Sequence, residues 1–367
     1  MDNSKISARQ MQVLIVLYIF GFGVLSLPRV MAQQTGRHGW ISVLVATLAA
    51  VVSVYIIAIL AQKSGKRRFP EFANTILGRP LGKLLCVAFA IRLLVTAALR
   101  LRVFGESVNE YMLPTTPAWM VLAIMLLVCV YAAVKKFETQ ARLAEILIFF
   151  MVIPIFYVFI VSLRGANFTN LLPLWDMNTE NIIRGSYNAF FSFQGIELLL
   201  VIIPFVAMNN GVTPRRAVSA VLLVGVLMTL VVISTISVFG VHSVSNQIWP
   251  IFQMMDAAEV PGQFFARQGA LVMTFWIVSA FAAISAEIFF SSLLLKDVLN
   301  LGKRRYYVIC SAILVFAAAL IPSSLSSVFR HSHRLNLYTG AAFMFFIPFF
   351  MLVIYGIRRR KIDNEID

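Results

Sequence analysis

Apolar residues along this chain fall into runs of about twenty, the length an α-helix needs to cross the hydrocarbon core of a bilayer. Ten such runs can be delimited, at about 10–33, 40–61, 84–110, 118–134, 143–163, 182–207, 217–240, 269–295, 306–321 and 337–357. Most connections between them are short, so consecutive helices are expected to be neighbours. Two outer loops are longer, about 164–181 and 241–268, and carry Trp175, Trp249, Pro250 and Pro261. They are expected to lie back over the bundle, anchored by their interfacial aromatics. In the cytoplasmic loop at 62–83, the stretch from Phe69 to Gly78 reads as a short amphipathic helix on the membrane surface, stopped by Gly78 and Pro80.

Two runs carry glycine near their middles. The first reads Tyr18-Ile19-Phe20-Gly21-Phe22-Gly23-Val24-Leu25, and the sixth reads Phe191-Ser192-Phe193-Gln194-Gly195-Ile196-Glu197. Glycine inside a helix costs about 1 kcal/mol relative to alanine. Broken backbone survives in hydrocarbon only where protein or a wet cavity satisfies the freed groups. One reading is that these glycines merely let helices approach closely. The other is that both helices break, since matching interruptions in two halves mark a transporter-type binding site. The second reading predicts an all-α polytopic membrane protein, one domain over 1–367 with ten transmembrane helices. They form a five-plus-five inverted repeat, about 10–163 and 182–357, with helices 1 and 6 broken.

Such breaks have a defined chemistry. A half-helix starting after Gly23 would offer free N–H groups to a carboxylate. The carbonyls before Gly21 and Gly195 would suit an ammonium group, and an amino acid carries both. The candidate ligand-binding residues are Gly21, Phe22, Gly23, Val24, Phe190, Phe193 and Gly195, with Leu93 and Thr96 from the third span. Their mostly apolar walls favour a small or aliphatic amino acid, with Ser192 and Gln194 as polar exceptions.

An ionised group at a helix centre costs at least about 2.5–3.5 kcal/mol and needs a reason. Arg92, Arg100 and Arg102 lie in the third span with Glu106 and Glu110, Glu197 follows the second break, Glu287 is in the eighth span, and Arg29 is in the outer half of the first. Arg102 and Glu106 have the spacing of a local pair. Arg92, Arg100, Glu197 and Glu287 are either interhelical ion pairs or parts of a ligand site, gate or proton relay. Glu197 is expected to pair with Arg92 or Arg100.

Composition narrows the class. The 367 residues are 60% hydrophobic and 13% charged, with mean hydropathy +0.86, which no soluble domain of this size shows. The net charge of +15 does not imply nucleic acid. Cations crowd the loops at Lys63–Arg68, Lys135–Lys136, Arg215–Arg216, Lys303–Arg305 and Arg358–Lys361, whereas the outer loops hold Arg37, Arg164, Arg267, Arg330 and Arg334. That asymmetry places both termini in the cytoplasm and the cations near anionic lipid head groups. No cleavable signal segment is recognisable, so the first span is expected to be retained. Cys86, Cys129 and Cys310 are too scattered for a metal motif or a disulfide framework. His38, His242, His331 and His333 fall in outer loops. Enzyme motifs are missing, Gly78–Lys83 has the wrong spacing for a phosphate loop, and no cofactor or metal is expected.

Four short motifs then resemble one family, in the correct order. Lys5-Ile6-Ser7-Ala8-Arg9-Gln10 with the Gly-Phe-Gly segment and Leu27-Pro28 is similar to the start of the bacterial spore germination permeases, the B subunits of GerA-type germinant receptors. Leu113-Pro114-Thr115-Thr116-Pro117-Ala118-Trp119 resembles their LPxTPxW stretch, Ala141-Arg142-Leu143-Ala144-Glu145-Ile146 their entry to the fifth helix, and Gly195-Ile196-Glu197 through Pro204-Phe205 their sixth helix. The resemblance implies the amino acid–polyamine–organocation superfamily and its LeuT-like fold. It implies a sensor of a nutrient, an amino acid above all, in the spore inner membrane. The implied partners are an A-type membrane subunit and a C-type lipoprotein. The fifth span has no lysine of the kind proton-coupled relatives place there, and Ser279 and Ser285 form no adjacent hydroxyl pair for sodium. A receptor therefore fits better than the alternatives, an active amino acid transporter or a structural subunit that binds nothing.

Overall fold

The computed structural model describes residues 5–64, 67–173, 175–207, 212–256 and 268–366. Every one of the ten apolar runs is helical in these residues. Helix α1, Ala8–Thr35, starts at a capping box: Ser7 Oγ accepts the Gln10 N–H at 3.1 Å and Gln10 Oε1 accepts the Ser7 N–H at 2.9 Å. A tight turn at Gly36–His38 leads into α2, Gly39–Lys63. The short α3, Phe69–Leu77, ends at Gly78, whose φ of 87° is one that glycine adopts without penalty. The long α4, Arg79–Tyr111, carries Pro80 in its first turn, where the missing N–H costs nothing. Two helices follow, α5 (Ala118–Val134) and α6 (Phe137–Gly165). The sixth run comprises α7, Thr179–Phe190, an irregular stretch, and the single turn α8, Leu199–Ile202. Next are α9 (Val212–Asn246), α10 (Pro250–Asp256) and α11 (Gln268–Leu299). Helices α12 (Arg304–Leu320), α13 (Leu325–Leu335) and α14 (Ile347–Ile366) complete the chain. The last two are joined by π-helical segments, Asn336–Gly340 and Ala342–Phe346.

Among the described residues, six helices are long and apolar enough to cross a membrane, taking α1–α2 as one and α13–α14 as one, and the bent sixth run makes seven. Among the described residues no strand is present, only an isolated bridge between Ile6 and Val206. One core unites the helices. Helix α1 packs along α9 and α11, α4 lies against α11, and α2 rests on α9 and α7. The outward face of α6 leaves Phe149, Phe150, Ile153, Phe156, Ile160 and Leu163 exposed, as a lipid-facing helix does.

Three expectations change here. Helix α1 is not broken: it runs without interruption through Gly21 and Gly23. Helix α3 is amphipathic as expected but buries its apolar face within the protein, with Phe69 edge-on to Phe89 and Phe72 beside Tyr355. Of the two long loops, the first is tied to α9 by Asn167, whose N–H donates to the Ser237 carbonyl at 2.9 Å, yet Trp175 is 88% exposed. The second places Trp249 in the interior and α10 over α11, with Phe252 against Trp276. Pro261 and Arg267 lie outside the described residues.

On the side carrying the cationic loops, cations fasten helix ends. Arg304 donates to the carbonyls of Ala133, Val134 and Lys135 at 2.7, 2.9 and 2.9 Å, satisfying the free C-terminus of α5. Arg68 pairs with Asp297 at 2.8 Å and ties the start of α3 to the end of α11.

Candidate functional site

The break in the sixth run is where the sequence placed it. The two halves meet at 46°. Gln194 leaves the helical region with φ −57° and ψ 127°, and Gly195 has φ 125°, a conformation that side chains disfavour strongly. Breaking a helix strands an N–H and a C=O, and each finds an ionised partner. The Gly195 N–H donates to Glu197 Oε2 at 2.8 Å. The Gln194 carbonyl accepts from Arg100 Nη2 at 3.2 Å. Gln194 also donates through Nε2 to Thr96 Oγ1 at 3.1 Å, so α4 holds both the main chain and the side chain of the break.

The two charges at the break are themselves paired. Glu197 Oε1 lies 3.0 Å from Arg92 Nη2, with both side chains 2% exposed. Arg100 Nη1 lies 2.9 Å from Glu287 Oε1 on α11. Arg92 reaches Thr339 in the first π segment at 3.4 Å and stacks over Phe343 in the second, while Arg100 stacks over Phe22. Two arginines of α4 therefore connect the break to α1, α11 and the π-helical region. The four charges sum to zero, which is what a low-dielectric interior tolerates. Arg102 and Glu106 form the local pair expected, at 2.7 Å, and Glu110 accepts from the Trp249 indole at 3.1 Å.

The glycines of α1 play another part. The Gly21 carbonyl accepts the Trp276 indole N–H at 2.6 Å, and a Cβ at position 21 would stand 2.7 Å from Ser279 Oγ. A Cβ at position 23 would strike the Ser192 carbonyl. These are close-packing glycines, holding α1 against α11 and against the break. With the helix continuous, the N–H groups after Gly23 are not the exposed array that a carboxylate would need.

A cavity of about 480 Å³ opens beside the break, bounded by α1, α4, α7 and α13. Of the candidate residues, Phe22, Gly23, Thr96 and Arg100 line it, together with Gln194 and Ser192. Gly21, Val24, Leu93, Phe190, Phe193, Gly195, Arg92, Glu197 and Glu287 do not. Val24 instead borders a separate small void of about 40 Å³ with Phe20 and Trp276. The wall is far more polar than the expected apolar one: Gln33, Gln34, Asn188 and Asn336 contribute amides, and Ser26, Ser326 and Ser332 hydroxyls. Arg29 and His333 join them, and among the described residues no carboxylate does.

Sequence reasoning missed most of this polar wall. Part of it was legible: Phe22, Ser26, Arg29 and Gln33 are spaced by four, three and four residues, one face of a helix. The π-helical segments gave no such signal, though helices of that kind gather at functional sites. Gly340 belongs to one of them, and a Cβ there would meet the Phe191 ring at 2.7 Å. Among the described residues, no group of three His, Cys, Asp or Glu could hold a metal ion.

Comparison with known proteins fits this architecture. A family model described as "Spore germination protein" matches residues 5–328. Spore germination protein YndE of Bacillus subtilis (strain 168) is 31% identical over 296 residues, covering 79% of this chain and 80% of the relative. Spore germination proteins GerQB and GerLB of Bacillus cereus are 26% and 25% identical, each covering 97% of the relative and 98% and 99% of this chain. With a continuous match across nearly all its apolar helices, the chain belongs to the spore germination permease family.

Proposed function

We propose that this chain is the nutrient-sensing subunit of a spore germinant receptor. In this reading it sits in the spore inner membrane with both termini cytoplasmic and ten spans arranged as two inverted five-helix repeats. It works beside an A-type membrane subunit and a C-type lipoprotein. A small nutrient, an amino acid above all, enters the cavity and meets Phe22, Gly23, Thr96 and Gln194. The observation that carries the reading is the contact between cavity and break: Gln194 and Arg100 belong to both. A ligand that competes for the Gln194 amide or the Arg100 guanidinium alters the support of the stranded backbone groups. Through Glu197 and Glu287 it then alters the pairing of α4 with the turn that follows the break and with α11. The output is a change of helix packing that partner subunits sense, with no bond made or broken in the ligand.

The test is a binding screen of the purified chain against amino acids, glucose and inosine, paired with germination dose–response in spores carrying Gln194→Leu. Specific binding of one nutrient class, with a response shifted to higher concentration in the variant at normal protein level, is the expected result. No binding to the folded chain, or an unshifted response, excludes the site.

A further inference from the structure

The walls of the cavity also define the charge of what it takes. Four observations bear on this. First, among the described residues the lining contains two arginines and no carboxylate. Second, the two arginines are not equivalent. Arg100 is neutralised by Glu287 at 2.9 Å through Nη1, and its Nη2 donates to the Gln194 carbonyl. Arg29 has neither an ion pair nor a hydrogen bond among the described residues. Third, Arg29 lies on the face of α1 that carries Phe22, Ser26 and Gln33, all of which line the cavity. Fourth, the two amides that follow Arg29 on α1 are already occupied. Gln33 donates to the Ser245 carbonyl at 2.8 Å, and Gln34 accepts from Asn188 at 3.0 Å. Neither supplies the negative charge that Arg29 lacks.

An uncompensated guanidinium inside a membrane protein is costly, and such groups mark ligand or ion pathways. We infer that Arg29 is the anchor for an anionic group of the ligand, and that the cavity takes molecules bearing a carboxylate and no net positive charge. The planar guanidinium matches a carboxylate with two parallel hydrogen bonds, and that charge-assisted geometry is stronger than a neutral contact. Cationic molecules meet this positive charge with no acid among the described lining residues to offset it. The inference rests on the cavity being the ligand site proposed above.

The experiment uses the purified full chain in lipid nanodiscs and its variants Arg29→Gln and Arg29→Lys, each verified as monodisperse and helical. Probes are L-alanine, L-valine and L-leucine, the carboxamide of each, putrescine, glucose and inosine, with binding read by calorimetry. The expected result is that one or more of the acids binds while its carboxamide and putrescine do not. Arg29→Gln then weakens the acid on the order of 10- to 100-fold, as loss of a hydrogen bond to a charged group does. Arg29→Lys recovers part of that loss, and the carboxamide binds neither wild type nor Arg29→Gln. An acid that binds Arg29→Gln as tightly as wild type overturns the role of Arg29 and leaves the cavity reading intact. Binding of glucose, inosine or putrescine in place of the acids overturns the charge class while keeping the cavity. Failure of every probe to bind the wild-type chain overturns both readings together.

Discussion

Replacing Glu197 by glutamine removes one charge from the interior and almost no volume. Wild type has the carboxylate 3.0 Å from Arg92 with both groups 2% exposed, and its second oxygen caps the Gly195 N–H at 2.8 Å. Glutamine can still accept from Gly195, so the backbone cap weakens but persists. Arg92 loses the one anion at contact distance among the described residues and keeps a 3.4 Å contact to Thr339 and the ring of Phe343. Orphaning one member of a buried pair costs about 3–5 kcal/mol. Folded proteins hold a margin of about 5–15 kcal/mol, so the loss takes a large share of it. The expected outcome is a marked fall in the thermal midpoint of the purified chain and a lower level in the spore membrane. Adding Arg92→Met to Glu197→Gln removes the orphan. The double variant should therefore be more stable than Glu197→Gln alone, with a coupling on the order of 1–3 kcal/mol. Thermal unfolding in nanodiscs, monitored by helical signal, gives all four corners of the cycle. If Glu197→Gln melts with wild type, or if the two substitutions simply add, the pair is not the structural tie described here.

Gly21→Val should destabilise the chain, since its Cβ would lie 2.7 Å from Ser279 Oγ, and Ser279→Gly should relieve part of the loss in the same thermal assay. Gly195→Ala has room, with the nearest atom 3.6 Å away, so its expected cost of about 1–3 kcal/mol is backbone strain from φ 125° and should not be relieved by trimming Ile19. Phe193 is fully buried and off the cavity wall, so Phe193→Ala should lower stability by about 3–5 kcal/mol yet leave the ranking of bound nutrients unchanged. Phe22→Ala, on the wall, should change that ranking, and calorimetry with a homologous series of ligands reads both variants.

The contrast between Gly21 and Gly195 explains how much the sequence could say. Both are glycines at mid-span with aromatic neighbours, and hydropathy treats them alike. What separates them is the nearby supply of groups to receive stranded backbone atoms. Glu197 stands two residues past Gly195 and caps its N–H, and Gln194 reaches Thr96 while its carbonyl takes Arg100. The segment Phe20–Val24 has no polar side chain of its own, so the helix keeps its internal hydrogen bonds. A glycine with an ionisable residue within two positions is thus the better sign of a real break in hydrocarbon. The local pair Arg102–Glu106 was legible because helical spacing alone decides it. The pairings Arg92–Glu197 and Arg100–Glu287 needed depth and partner choice, and the sequence could narrow these but not resolve them. The cavity wall drew on α7 and on the stretch after α12, whose placement depends on tertiary packing that no local pattern encodes.

The bridge between Ile6 and Val206 has a mechanical consequence. Ile6 donates its N–H to the Phe205 carbonyl and accepts the Ala207 N–H, both at 2.9 Å. Main chain grips main chain, so the leading segment of the protein and the far end of the interrupted sixth run behave as one rigid link. The fastening depends on backbone groups, so side chains there can drift among apolar types without loosening it. Proline is the exception, because it deletes the donor at position 6 or 207. A load applied to the leading segment, by a fused tag or a docked neighbour, is delivered as a lever arm to the bent half-helix and not absorbed as slack.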